Sequence, residues 1–175
     1  YACVHRSWHE VREENCKAVC WASGDPHYHT FDGADYEFMG ACSYTMVRHA
    51  NFHIETENVP CGTTGVTCTK SVTVEAYGKT FHLAHAAIMV NNATREEDGY
   101  LHPRVSLAHA GMFVTLHFEE YKLSVAWDQG SRIYIFLDAN EQYHGKVAGL
   151  CGNMNGNTMD DLNDVTTGNI ATNYQ

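Results

Sequence analysis

Residues 149–162 read GLCGNMNGNTMDDL and concentrate hard oxygen donors in one short stretch. Asn153, Asn155, Asn157, Asp160 and Asp161 fall at positions one, three, five, eight and nine of a loop whose glycines at 152 and 156 permit sharp turns. Ca²⁺ takes about six to eight oxygen ligands with flexible geometry, from carboxylates, side-chain amides and backbone carbonyls. The spacing suits a calcium loop. It also suits a polar surface turn, because Asn, Asp and Gly are favoured in turns for backbone reasons alone.

A second chemically active sequence is Gly24-Asp25-Pro26-His27. Asp–Pro is a weak peptide link: the Asp25 carboxylate can attack its own carbonyl, and the tertiary amide of Pro26 leaves once protonated. His27, with an ordinary pKa of about 6.5, is a proton source for that step in mildly acidic solution. A structural turn is the other reading. The chain has twelve histidines, with His27 and His29 two apart and His82 near His85. None matches a zinc-protease or deaminase signature, and as a population they read as solvated groups that gain positive charge below about pH 6.5. There is no phosphate-binding glycine loop.

The elements that position these residues read as strands. Phe52 and Ile54 alternate with polar residues, as do Val72, Val74 and Ala76, then Phe81 and Leu83, then Val114, Leu116 and Phe118, then Tyr121, Leu123, Val125 and Trp127. A period of two marks strands with one buried face. Residues 133–137 are apolar on both faces and predict a central strand. Turn signals separate the runs at 77–79, 91–92, 119–120 and 128–131. Seven or more short strands at hairpin spacing predict an all-β, antiparallel β-sandwich with little helix; a turn or two of helix is expected over 139–146, and another near 160–164. Residues 1–19 read as a cysteine-containing appendage, and 20–175 as the domain.

At 175 residues the chain is long enough for one domain with a real core. A net charge of −10 argues against nucleic acid and anionic membrane surfaces as partners and is compatible with cations. No apolar run approaches the roughly 18 residues of a membrane span. The opening YACVHRSWHE has no apolar signal-peptide core, and a cysteine already at position 3 suggests a processed chain or a segment of a longer one. Cysteines stand at 3, 16, 20, 42, 61, 68 and 151 with no CxxC pair, which favours disulfides in a secreted protein over a zinc site. An odd count leaves one thiol free or paired outside the chain. Asn92-Ala93-Thr94 is an N-glycosylation sequon, in keeping with secretion.

CWASGDPHYHTFDGADYEFMGACSY, beginning at Cys20, together with the 149–162 loop, resembles the von Willebrand type D domain. NFHIETENVPCGTTGVTCTKSVTVE resembles that family's second and third strands with their bridging cysteines. The resemblance covers roughly residues 16–165. The family consists of secreted, disulfide-linked, calcium-binding sandwich modules of large glycoproteins such as von Willebrand factor, gel-forming mucins and zonadhesin.

The resemblance implies bonds Cys20–Cys151 and Cys61–Cys68, leaves Cys3 with Cys16, and places the partner of Cys42 beyond the asparagine loop, in a stretch this chain lacks. In the chain-entropy account the first bond contributes about 5 kcal/mol and the second about 2.5. The implied calcium ligands are the side chains of Asp32, Asn153, Asn155, Asp160 and Asp161 with the backbone carbonyl of Asn157. In some members the GDPH sequence cleaves itself between Asp and Pro. The family's CGLCGN is altered here: Ala148 replaces the first cysteine, and Ala50 stands near the place of its partner. Both members of one bridge are absent together, which argues against disulfide-exchange chemistry. The expectation is a non-enzymatic, calcium-stabilised module of assembly or adhesion in an extracellular glycoprotein, associating with other modules or copies. A ligand-binding module of a growth-factor regulator is the alternative, and a luciferase-type enzyme a remoter one.

Overall fold

The computed structural model describes residues 2–4, 7–9, 17–24, 27–63, 65–85, 87–95 and 98–161. Among these there are strands and turns but no helix. Two antiparallel sheets form a sandwich. The six-stranded sheet is a meander in the spatial order Ala93–Arg95, Ala87–Val90, Lys79–Ala84, Val66–Ala76, Phe52–Cys61, Ser43–His49. The eight-stranded sheet runs Gly99–His102, Val105–Ala110, Phe113–Phe118, Leu123–Trp127, Ile133–Asp138, Lys17–Ser23, His27–His29, Asp35–Glu37. Ala2–Val4 and Ser7–His9 pair as a separate two-stranded ribbon.

The core lies where the period-two faces meet. Ile54, Val72, Val74, Phe81 and Leu83 from one sheet oppose Val114, Leu116, Phe118, Val125, Ile133 and Ile135 from the other, all buried. Phe81 and Phe118 meet edge to face at 5.4 Å across the layers. The expected sandwich is therefore present, and Ile133–Asp138 is central, with a strand on each side. Its two faces differ: Ile133, Ile135 and Leu137 are buried, whereas Tyr134 and Phe136 are half-buried on the outer face.

Three local expectations are corrected. Residues 139–146 form successive turns and not a helix: the Asn140 carbonyl accepts the N–H of both Tyr143 and His144, while the Asn140 side chain caps the N–H of Gln142. Tyr143 then leaves the surface as a buried anchor, its hydroxyl donating to the Tyr121 carbonyl at 2.6 Å. The turn at 158–161 is likewise not helical; residues 162–164 lie outside the described residues. Tyr121 belongs to a turn before Leu123–Trp127 and stacks on Tyr77 at 4.6 Å.

One polar tie crosses the core. Asn58, buried at a bulge in Phe52–Cys61, donates from Nδ2 to the Tyr28 hydroxyl at 2.8 Å and accepts from Thr69. Burial raises the Tyr28 phenol to about 12, so it remains a neutral partner. This bond fastens His27–His29, and the turn beyond it, to the opposite sheet.

Candidate functional site

The site is a seam between two segments far apart in sequence. Cys20, buried in Lys17–Ser23, bonds to Cys151 with Cα atoms 5.6 Å apart and a sequence separation of 131. Just before Cys151 the chain runs along Ser43–His49. Arg48 and Ala148 exchange both backbone hydrogen bonds, at 2.7 and 3.1 Å, and Leu150 and Cys151 donate to the carbonyls of Thr45 and Met46. Gly149 makes this approach possible: at φ 141, a Cβ would lie 2.5 Å from the Met46 carbonyl oxygen. Ala148, where the family pattern has cysteine, pairs directly with Arg48, and Ala50 lies two residues further on, in the turn that ends the strand.

The opposing segment is the tight turn 30–34 between His27–His29 and Asp35–Glu37. The fully buried Thr30 closes it by accepting the Ala34 N–H at its hydroxyl, and the Phe31 N–H donates to the Cys151 carbonyl at 3.0 Å. Asp32 thereby points its carboxylate at the asparagine loop. Its two oxygens accept the backbone N–H groups of Asn155 and Gly156 at 3.0 and 2.8 Å. Asp161 accepts from the Thr30 hydroxyl at 2.6 Å and from the Asn153 N–H at 3.1 Å. The turn reading of the loop is what the hydrogen bonds display. Asn153, Asn155 and Asn157 each accept the N–H two residues ahead at the side-chain oxygen, a run of turns made by asparagine itself. Each amide oxygen has a second lone pair.

The electrostatics of the seam are unbalanced. Among the described residues Asp32, Asp160 and Asp161 form no ion pair. Burial raises the Asp161 carboxyl above its ordinary pKa, and the neighbouring Asp32 adds to the rise against the hydrogen bonds from Thr30 and Asn153. Asp160 accepts from the Asn155 amide at Oδ2, but its Oδ1 is buried without a hydrogen-bond partner. A buried carboxylate oxygen with no donor is costly, and a hard cation is the chemistry that suits it. Among the described residues no three His, Cys, Asp or Glu side chains stand together as a ready metal cluster. The oxygens along the seam are those of carboxylates, side-chain amides and backbone carbonyls.

The other expected residues are dispersed. Cys61 and Cys68 form a second disulfide, across the hairpin of Phe52–Cys61 and Val66–Ala76. Cys42 is an exposed free cysteine. Asp25, Pro26 and Cys16 lie outside the described residues, as does any bond between Cys3 and Cys16. His27 and His29 face Glu37 and Asp35 separately, at 3.5 and 2.6 Å. His82 bonds to Thr73 and His85 to the Gln129 carbonyl, so that pair does not flank one site. Asn92 is exposed at a hairpin turn. Thr30 and Tyr36, whose hydroxyl donates to the Leu150 carbonyl, are seam residues that the sequence reading missed. Nothing in their spacing singles them out beyond their nearness to Asp32.

Comparison with known proteins gives this geometry a family. Residues 20–165 match the von Willebrand factor type D domain. The chain belongs to that family. The type D domain here is 43% identical to SCO-spondin of Gallus gallus over 164 residues, which is 91% of this chain and 3% of that protein. It is 36% identical to hemocytin of Bombyx mori over 174 residues, covering 97% of the chain and 5% of the relative. Against human Mucin-5B the identity is 34% over 168 residues, again 91% of the chain and 3% of the relative. The chain thus spans only a small fraction of these proteins. These relatives are named as a spondin, a hemocytin and a mucin. No helix among the described residues is long and apolar enough to cross a membrane.

Proposed function

We propose that this type D domain is a calcium-stabilised module serving assembly or adhesion in a large extracellular glycoprotein. The observation that carries the calcium reading is Asp160 Oδ1, buried and without a donor in a seam where three carboxylates have no cationic partner among the described residues. Asp32, Asn153, Asn155, Asp160 and Asp161 would hold the ion through side chains, and Asn157 through its carbonyl. The ion would supply the missing positive charge and join the 30–34 turn to the loop at the point where Cys20–Cys151 already joins their backbones. Extracellular modules bind calcium with Kd of about 10⁻⁴ to 10⁻³ M. At tenfold excess over Kd this contributes about 1.4 kcal/mol, a rise of a few degrees in melting temperature. Thermal denaturation in millimolar calcium and in excess chelator measures it. Asp160→Asn is expected to melt no lower than the parent in chelator and to gain less from calcium. Equal melting of the parent in both conditions overturns the reading.

The relatives, of which this chain is a few per cent, support a role beside other modules or copies. The exposed Cys42 supports covalent pairing with a cysteine outside this chain. Self-cleavage at Asp25–Pro26 belongs to the same proposal, supported by the GDPH sequence alone. After incubation at about pH 5.5, a 25-residue fragment released only on reduction is the expected product, because Cys20 holds it to Cys151. An intact chain on a reducing gel refutes cleavage.

A further inference from the structure

The two edges of the six-stranded sheet are treated differently. Along Ser43–His49, the 147–151 segment covers the strand and takes up its backbone groups. At the opposite edge, Ala93–Arg95, no further strand pairs among the described residues, and all three residues are exposed. An open edge offers unpaired N–H and C=O groups to another chain, and soluble proteins protect such edges by keeping them very short or with charge, proline, bulges or a cover. Ala93–Arg95 is kept to three residues and has one charge, no proline and no bulge.

The chain reaches this edge through Asn91 and Asn92, which alone separate the paired residues Val90 and Ala93. Their φ angles of 48° and 67° are the left-handed pair that a two-residue hairpin turn requires and that asparagine tolerates. The two side chains have different fates. Asn91 donates its N–H to the Thr80 carbonyl and accepts the Thr80 N–H at Oδ1, both at 2.9 Å, so it is committed to the turn. Asn92 is exposed, and no hydrogen bond from the described residues engages its side chain. Thr94, the hydroxyl residue of the sequon, is exposed on the edge strand itself, opposite Met89.

We propose that Asn92 carries an N-linked glycan and that this glycan shields the open edge of the six-stranded sheet. In the transfer, Asn92 Nδ2 bonds to the anomeric carbon of the first N-acetylglucosamine of a lipid-linked oligosaccharide diphosphate. The bond from that carbon to the diphosphate breaks, the lipid diphosphate departs with the electron pair, and the amide loses one proton. The glycan is fixed to the turn residue next to the edge strand, so it occupies the space an incoming strand would need. The Cys20–Cys151 seam, on the far side of the sheet order, is untouched.

The proposal rests on the extracellular reading, because glycan transfer occurs in the secretory pathway. Secretion of the chain from mammalian cells behind a heterologous signal peptide separates the two: native export tests the first, and the mass of the forced product tests the second. Peptide N-glycosidase on denatured product is expected to remove one oligosaccharide and leave aspartate at position 92. Asn91→Gln should keep the glycan, whereas Asn92→Gln and Thr94→Ala should lose it. An unchanged mass after glycosidase overturns the modification. For the shielding role, sedimentation velocity at matched concentration is expected to show association of Thr94→Ala but not of the glycosylated parent. Thr94→Lys, which lacks the glycan but places a charge on the edge, should remain monomeric. A Thr94→Ala protein as monomeric as the parent overturns the shielding role.

Discussion

The Cys20–Cys151 seam and the tip of the Cys61–Cys68 hairpin are each closed by one disulfide, yet the bonds do different work. At the hairpin the register pairs Cys61 with Val66 and Val59 with Cys68, so the backbone has already brought the sulfurs together across a separation of 7. At the seam the separation is 131, and the joined segments belong to different parts of the fold. A local bond restrains few unfolded conformations and a distant one restrains many. Among the described residues the seam also carries unpaired charge and a buried oxygen without a donor, whereas residues 62, 63 and 65 at the hairpin tip are exposed turn. The covalent closure over distance is thus at the seam.

The most severe way to break the comparison is to remove the bonds one at a time. Replacing Cys20 and Cys151 by serine should cost about 5 kcal/mol in urea unfolding, against about 2.5 for Cys61 and Cys68. Equal losses would show that loop length does not set what each bond contributes. The glycines sharpen the same contrast. Gly152 has φ 78, and a Cβ there would sit 2.1 Å from Asp161 Oδ1; Gly62 has φ 67 with nothing within 4 Å. Gly62→Ala should cost about 1 kcal/mol for the left-handed backbone, and Gly152→Ala about 3, with loss of the calcium-dependent gain in melting temperature.

The smallest effect is in the response to pH. Burial lowers the pKa of His49, with Lys146 adding to it, and burial lowers that of His117, with Lys17 adding. A histidine whose folded pKa is depressed contributes stability that is complete above its unfolded value, about 6.5, and is lost as pH falls through the lowered folded value. The parent should therefore lose melting temperature between pH 7.5 and 5.5. The double variant His49→Gln, His117→Gln should lose less, by about a degree or two. An identical slope for both proteins would assign the acid sensitivity to other groups.

Much of the sandwich was legible because its long strands bury one face. Ile54, Val72, Val74, Leu116 and Val125 alternate with polar neighbours, and all are inside. The strands that escaped notice, Ala93–Arg95 and Gly99–His102 among them, are short and lie at edges, where neither face is consistently buried and no period arises. The helix expected at 139–146 failed because the Asn140 side chain competes for the backbone and Tyr143 is drawn into the core. In the seam, donor types and the family resemblance brought Asp32 and the loop together. The buried hydroxyl of Thr30 was illegible, because its role depends on Asp161 being 131 positions away in sequence and adjacent in space.

The backbone pairing of Ala148 with Arg48 has a further consequence. Both bonds are made by main-chain atoms, so the path of the 147–151 segment does not depend on the side chain at 148, which is only half-buried. That position is an interchangeable fitting on a fixed frame. A lineage can write a reactive sulfur into it, or erase one, without re-tuning the fold around it.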